Sequence, residues 1–353
     1  MYALARSLLF ALDAEQAHQL TLGALRLGHR LGLLSLLAPE QPAQPVELMG
    51  LTFANRIGLA AGFDKNATCV DAMGALGFGF VEVGTLTPMA QPGNPRPRVF
   101  RLPRARAVIN RMGFPNEGAP AAARRLRLRR YTGVCGVNIG KNAATPLEQA
   151  PADYVVALQA VYEFADYVTI NISSPNTQGL RQLQQDQQLR PLLQALLESR
   201  EQLAERVGWR VPLVVKLSPD LSAEDLAATA GVIRELQLDG VIATNTTLDR
   251  AAVAGMPHAE RPGGLSGEPL RERSAGVVRQ LRALLGPKLP LIGVGGIGSA
   301  ADAAALFAAG ADLVQVYTGL IYRGPGLVRE LVAADAAARQ PLRPRPRARH
   351  NRP

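Results

Sequence analysis

Cysteine is nearly absent. Cys69 and Cys135 are the only two in 353 residues, and neither belongs to a Cys-x-x-Cys pair or a histidine-bearing cluster. That excludes a disulfide framework and a structural zinc centre, and it predicts a chain that works in a reducing cytoplasm without a metal. Aromatic residues make up 5% of the chain, with a single tryptophan, so nucleic-acid binding by base stacking lacks its platforms. No uninterrupted apolar run reaches the ~18 residues of a spanning helix, and the first residues lack the basic, apolar and cleavage regions of a secretory signal. What is abundant is apolar residue, 47% of the sequence, enough for a large buried core.

The formal charge of +10 is unevenly spread. Residues 96–130 hold eleven arginines against the single acid Glu117, and residues 341–353 add five arginines and no acid. The rest of the chain is therefore net acidic, and no nucleic-acid module accompanies either patch, so nucleic acid is excluded as a partner. The tail PLRPRPRARHNRP combines prolines with like charges. It predicts a solvated extension over 339–353, drawn weakly to anionic lipid.

Residues 1–40 read as a segment of their own. Leu4, Leu8, Leu9 and Leu12 recur at helical spacing, and Asp13 with Gln16 opens a second helix bearing Leu20, Leu27, Leu31 and Leu34. Pro39 and the stretch QPAQP end the pair. Such leucine faces serve either to cap a core or to meet a membrane or a lipophilic ligand.

Beyond residue 50, short Val- and Ile-rich segments occur at 56–62, 80–85, 134–140, 166–173, 211–218, 239–245, 289–295 and 312–318. Alanine- and leucine-rich stretches of helical length separate most of them, at 153–164, 188–206, 222–237, 270–285 and 299–309, and another follows at 326–338. Eight βα units predict an α/β fold, a closed (β/α)8 TIM barrel over 41–338. The gap from 85 to 133 reads as an inserted basic loop over the barrel mouth.

In that fold the strand C-termini form one rim, the usual place of an active site. Their residues are AAGFDKN at 60–66, EVGT at 82–85, NIGKN at 138–142, NISSPN at 171–176, VKLSPD at 215–220, ATNTT at 243–247, GVGGIGS at 293–299 and VYTG at 316–319. One asparagine there is an ordinary turn residue. Several amides with lysines converging on one rim point to a polar ligand. Gly295 and Gly296, with Ser299, Tyr317, Thr318 and Gly319, suit a phosphate cradle, and Lys216 can set its cation beside an electron-rich flavin edge.

The segments AAGFDKN, INRMGF, NIGKN, NISSPNTQGLR, VKLSPDLS, GVIATNTTLDR, GGLSG, IGVGGI and LVQVYTGLIYRGP resemble the dihydroorotate dehydrogenases of the membrane-associated, quinone-dependent class 2. The resemblance implies one non-covalent FMN, oxidation of (S)-dihydroorotate to orotate in pyrimidine (UMP) biosynthesis, and electron transfer to a membrane quinone. It also implies a monomer held peripherally on the cytoplasmic face of an anionic membrane. By resemblance Ser174 is the base, where the other class carries cysteine, and Thr177 is a relay for its proton. Substrate contacts fall on Lys65, Asn110, Arg111, Met112, Gly113, Phe114, Asn171, Asn176, Asn245 and Thr246. FMN contacts fall on Ala61, Gly62, Lys65, Thr85, Asn138, Asn171, Lys216, Thr244, Gly267, Gly296, Tyr317 and Thr318. His18, Arg101 and Tyr317 fall on the quinone side. Pro115 departs from the pattern, since many relatives carry asparagine after the phenylalanine. A class 1 enzyme is disfavoured by Ser174 and the N-terminal helices. A silent membrane-surface scaffold is disfavoured because it has no use for Lys65, Asn171, Ser174, Asn176, Lys216 and Asn245.

Overall fold

The computed structural model describes residues 2–34 and 44–339. Eight parallel strands close on themselves: β3 (Ile57–Leu59), β4 (Phe80–Leu86), β7 (Val134–Ile139), β8 (Tyr167–Asn171), β9 (Leu213–Leu217), β10 (Gly240–Ala243), β12 (Leu291–Val294) and β13 (Leu313–Val316). Every position of these strands is buried, which is why their sequences run as continuous apolar stretches rather than alternating ones. Helices pack outside: α3 (Val70–Gly74), α4 (Ala119–Leu126), α5 (Ala150–Val161), α6 (Asp186–Val207), α7 (Ala223–Glu235), α8 (Arg271–Leu285), α9 (Ala300–Ala308), and after the last strand α10 (Thr318–Arg323) and α11 (Gly326–Arg339). The expected TIM barrel is thus observed.

Two elements escape the sequence reading. The hairpin of β1 (Val46–Leu48) and β2 (Leu51–Phe53) packs on the inner barrel cluster, with Phe53 fully buried and its ring edge-on to Phe80 at 5.2 Å. The segment 85–133 is not the plain loop expected. It forms the antiparallel strands β5 (Val99–Leu102) and β6 (Ala107–Asn110), joined by β11 (Gly264–Gly267) in a three-stranded sheet, and then supplies α4 as a barrel helix. Arginine density hid the alternation of Phe100 and Leu102, both buried while Val99 and Arg101 are half-buried.

At the N-terminus, α1 (Tyr2–Ala11) and α2 (Ala14–Arg30) form as expected. Asp13 caps α2 by accepting from the main-chain N–H of Glu15 (2.9 Å) and Gln16 (3.2 Å). The second helix is shorter than its leucine spacing suggested. It ends at Arg30, with Leu31 as the C-terminal cap and Gly32 at a φ of 72°, so Leu31 and Leu34 lie beyond it. Helix α1 buries no residue, and Leu4, Leu8, Leu20 and Leu27 are all more than half exposed. The pair is held on its other side. Tyr2 donates to the Ile321 carbonyl (2.6 Å), Arg6 to that of Tyr322 (2.9 Å), and Glu15 accepts a two-pronged bond from buried Arg98. Pro39, most of QPAQP and the tail from 340 onward lie outside the described residues.

Candidate active site

The rim loops enclose one cavity of about 1200 Å³ of empty space, open to solvent on one side. Most of the residues singled out from sequence meet there. Lys65 follows β3, Thr85 lies near the end of β4, Asn171 ends β8 with Ser174 and Asn176 after it, and Lys216 lies on β9. Thr244, Asn245 and Thr246 follow β10, Gly296 follows β12, and Tyr317 and Thr318 follow β13. Ala61, Gly62, Asn110, Met112, Gly113, Phe114, Pro115 and Gly267 complete the wall.

Four of the expected contacts sit elsewhere. Arg111 turns its guanidinium to the Pro97 carbonyl (Nη2 2.9 Å) rather than into the cavity. Asn138 lies fully buried beneath the floor. Arg101 reaches back to α1, donating to the carbonyls of Leu12 (2.9 Å) and Leu9 (3.3 Å) with its guanidinium 4.7 Å from the Phe10 ring centre. His18, on α2, connects to the cavity through rings: it meets Phe63 edge-on at 5.1 Å, and Phe63 meets Tyr317 at 5.8 Å.

The polar side chains form a directed network. Thr85 Oγ1 donates to Asn138 Oδ1 (2.6 Å), as does Asn171 Nδ2 (3.0 Å). Asn171 Oδ1 in turn accepts from Ser173 Oγ (3.0 Å), which accepts from Asn245 Nδ2 (2.9 Å). Arg181 clamps two loops by donating to the carbonyls of Ser173 (3.1 Å) and Thr246 (2.8 Å) while pairing with Asp220 (2.8 Å). This holds Ser174, itself 5% exposed, with its Oγ accepting from the Asn176 N–H at 3.2 Å.

Against this satisfied frame, a few buried groups lack partners. Asn176 Oδ1, Thr177 Oγ1 and Thr246 Oγ1 make no hydrogen bond with any described residue. The ammonium of Lys216, a residue 5% exposed, makes no hydrogen bond or ion pair with any described residue. An unpartnered buried polar atom costs about 1–3 kcal/mol, so such a cluster at a cavity wall marks where a ligand supplies the missing partners. Burial pulls the Lys216 ammonium below its ordinary range, partly opposed by Glu82. Burial likewise brings Lys65, which donates to the Gly62 carbonyl at 2.7 Å, down to about 8, and it pushes the Tyr317 phenol up to about 12. His18 falls to about 3 through burial and then the Lys65 charge.

The turn after β12 is shaped for close approach. At Gly296, φ is 78° and an added Cβ would sit 2.4 Å from Arg271 Cα, so no side chain fits between that helix and the cavity. The main-chain N–H groups of Gly296 and Ile297 make no hydrogen bond within the described chain, which leaves them for an anion.

Sequence reasoning overlooked Arg106, Ser266, Glu268, Gln315, Tyr322 and Arg323, which also line the cavity. Arg106 and Glu268 pair at 3.0 Å. Gln315 was legible as a polar residue inside the apolar strand LVQV. Among the described residues no helix is long and apolar enough to cross a membrane, and no group of three or more His, Cys, Asp or Glu gathers that could hold a metal ion.

Comparison with known proteins agrees with this picture. A family model described as dihydroorotate dehydrogenase matches residues 44–334. A Paraburkholderia phymatum protein named dihydroorotate dehydrogenase (quinone) is 56% identical over 336 residues, covering 95% of this chain and 98% of that one. One of the same name from Stenotrophomonas maltophilia strain R551-3 is 57% identical over 341 residues, covering 96% and 97%. The crystal structure of DHODH from Eimeria tenella in complex with ferulenol superposes with a TM-score of 0.82 at 39% identity, covering 91% of this chain and 90% of that one. Identity of this extent, spanning both the barrel and the helices before it, leaves no other placement: the chain belongs to the dihydroorotate dehydrogenase family, in its quinone-dependent class.

Proposed function

We propose that this oxidoreductase converts (S)-dihydroorotate to orotate with one non-covalently bound FMN and passes the electrons to a membrane quinone, as a step of pyrimidine biosynthesis. The observation that carries the reading is the set of unpartnered groups, Lys216, Asn176 Oδ1, Thr177 Oγ1 and Thr246 Oγ1, facing or adjoining one cavity around Ser174. The residues present fit FMN. Lys216 is a cation awaiting an electron-rich partner, and the free N–H groups at Gly296 and Ile297 suit a phosphate. Thr85, Asn171 and Thr244 line the wall near Lys216. When bound, FMN supplies the two-electron acceptor that takes hydride from C6 of the substrate.

The protein's own groups do the rest. Ser174 Oγ takes the C5 proton, and its burial and the Arg181 clamp on the adjacent carbonyl hold it in place. Thr177 Oγ1, buried and unpartnered, is available to carry that proton onward. Lys65 offsets the substrate carboxylate, while Asn110, Asn176, Asn245 and Thr246 match the donors and acceptors of its ring. Asn110 and Asn176 are already aligned, the latter donating to the former at 3.1 Å. Arg111 and Asn138 act from behind the wall, through main chain and network respectively.

The helices of residues 1–40 form the quinone entrance and the membrane-contact unit, with barrel residues 41–338 behind them. The exposed leucine row rests in an anionic membrane surface as a peripheral contact on its cytoplasmic face, and the protein acts as a monomer. His18, Phe63 and Tyr317 mark the ring path from that entrance to the cavity, with Arg101 fixing α1 beside it.

Anaerobic stopped-flow spectroscopy tests the reading. Dihydroorotate should bleach a bound flavin in one phase, and a long-chain quinone should restore it; protein purified without flavin absorbance, or flavin unmoved by dihydroorotate, overturns it.

A further inference from the structure

One fully buried carboxylate takes no part in the chemistry above. Glu82, on β4, is 0% exposed in the barrel interior. It accepts from three neutral donors on three other strands: Asn138 Nδ2 (2.8 Å) to Oε1, and Tyr167 OH (2.8 Å) and Gln315 Nε2 (2.7 Å) to Oε2. Burying an unbalanced negative charge is expensive even with hydrogen bonds, and a nearby opposite charge is the usual remedy. Lys216, buried in the cavity wall and without a hydrogen bond or ion pair for its ammonium among the described residues, stands on β9 of the same barrel, three strands from β4.

We propose that Glu82 is a positioning residue of the active site, the buried counter-charge that keeps Lys216 an ammonium and the anchor that directs the amide network beneath the cavity. The other charged or titratable groups around the cavity cannot serve as counter-charge. Tyr167 is held well above the ordinary phenol range and Tyr317 up to about 12, so both stay neutral. Lys65 carries the same sign as Lys216. Glu268 is taken by Arg106, and Arg323 pairs with Glu330. Glu82 alone opposes the burial that draws the Lys216 proton off.

The network shows the second role. Because Asn138 turns its Nδ2 to Glu82, its Oδ1 must point up to Thr85 and Asn171. Asn171 then donates downward and presents Oδ1 to Ser173 and Asn245, beside the base. A carboxylate, which only accepts, sets this direction in a way that an amide of the same shape does not by itself.

The inference deepens the cofactor reading and rests on it only for the use made of the Lys216 charge. Its test reads the proton directly. The chain has four lysines, Lys65, Lys141, Lys216 and Lys288, so lysine Cε-labelled enzyme, purified with whatever flavin it carries, gives few signals, and that of Lys216 is identified by its loss in Lys216→Met. In Glu82→Gln, Oε1 still accepts from Asn138, and Gln315 can turn its unpartnered Oε1 to the new amide, so the fold has a satisfied alternative. The Lys216 titration midpoint should fall by about one pH unit or more, a tenfold loss of proton affinity. Glu82→Asp should recover most of it. Should Glu82→Gln fail to fold, Glu82→Gln combined with Tyr167→Phe gives the same reading, since it removes the hydroxyl that donates to the oxygen the amide nitrogen replaces. An unchanged Lys216 midpoint in whichever of these variants folds overturns the proposal. A missing flavin spectrum would instead fault the cofactor reading alone.

Discussion

Leucine at helical spacing means opposite things at the two ends of this molecule. In α6, Leu189, Leu192, Leu193 and Leu196 are fully buried between the barrel and its neighbours. In α1 and α2, Leu4, Leu8, Leu20 and Leu27 recur with the same period and stay 57–76% exposed. The period reports that a helix has a face; it cannot say what covers that face. The polar groups separate the two cases. Helix α2 commits its other side to the protein, through Glu15 with Arg98 and through Ala17 and His18, and leaves its leucines exposed.

The barrel end of this comparison carries the largest expected effect. Ser174→Ala removes the proposed base and leaves the frame of Arg181, Asn171 and Asn245 in place. Flavin reduction by dihydroorotate should slow roughly 10²–10⁴-fold with FMN and orotate still bound. Anaerobic stopped-flow measurement decides it, and a near-normal rate removes Ser174 from the role.

The leucines themselves come next. Leu193→Ala should cost about 2–5 kcal/mol of stability by opening a cavity. Leu27→Ala should move stability by less than about 0.5 kcal/mol, yet it should weaken binding to anionic vesicles and slow reoxidation by a long-chain quinone. Denaturant melts together with vesicle sedimentation make the contrast. A large melt shift for Leu27→Ala would mean that its face is covered by protein after all.

Much of this was legible in sequence, for physical reasons. Eight strands buried on both faces leave an apolar signature that periodicity detects, and a rim where amides and lysines replace aliphatics advertises a polar ligand. Strands β5, β6 and β11 were not legible. β5 and β6 are four-residue strands in an arginine-rich stretch, and β11, GLSG, is half glycine and pairs with β6 across more than 150 residues of chain. Glu82 was quoted within EVGT but carried no signal alone, because a buried acid reveals itself only through the donors that three other strands bring to it. Arg111 and Asn138 show the converse: a motif transfers the residue, while the fold decides which of its atoms face the cavity.

A smaller effect should appear in acid. His18 sits at about 3 when α2 is docked and at about 6.5 when it is free, so the detached helix binds the extra proton between these values. Docking is therefore at full strength above pH 6.5 and is lost as pH falls toward 3, about tenfold per unit within that window. Hydrogen exchange of α2 amides should accelerate accordingly while β-strand amides stay protected, and His18→Gln should flatten the dependence. Equal acceleration in barrel and helix would show that His18 does not govern the docking.

The smallest effect sharpens the same boundary. Asp13 accepts from two main-chain N–H groups at the start of α2, and the cap faces solvent, so its loss touches neither the core nor the cavity. Asp13→Ala should cost about 1 kcal/mol of helix stability. If the helix pair opens independently of the barrel, that cost is local: α2 amides should exchange about fivefold faster, while the global melting temperature and the rate of flavin reduction stay where they were. If α2 instead belongs to the cooperative unit of the barrel, the whole protein should lose the same 1 kcal/mol and α2 should gain no exchange of its own. The polar anchors favour the first outcome, because Tyr2, Arg6 and Glu15 hold the pair by hydrogen bonds and by the ion pairs of Glu15 with Arg96 and Arg98, and α1 buries no residue to couple it to the core.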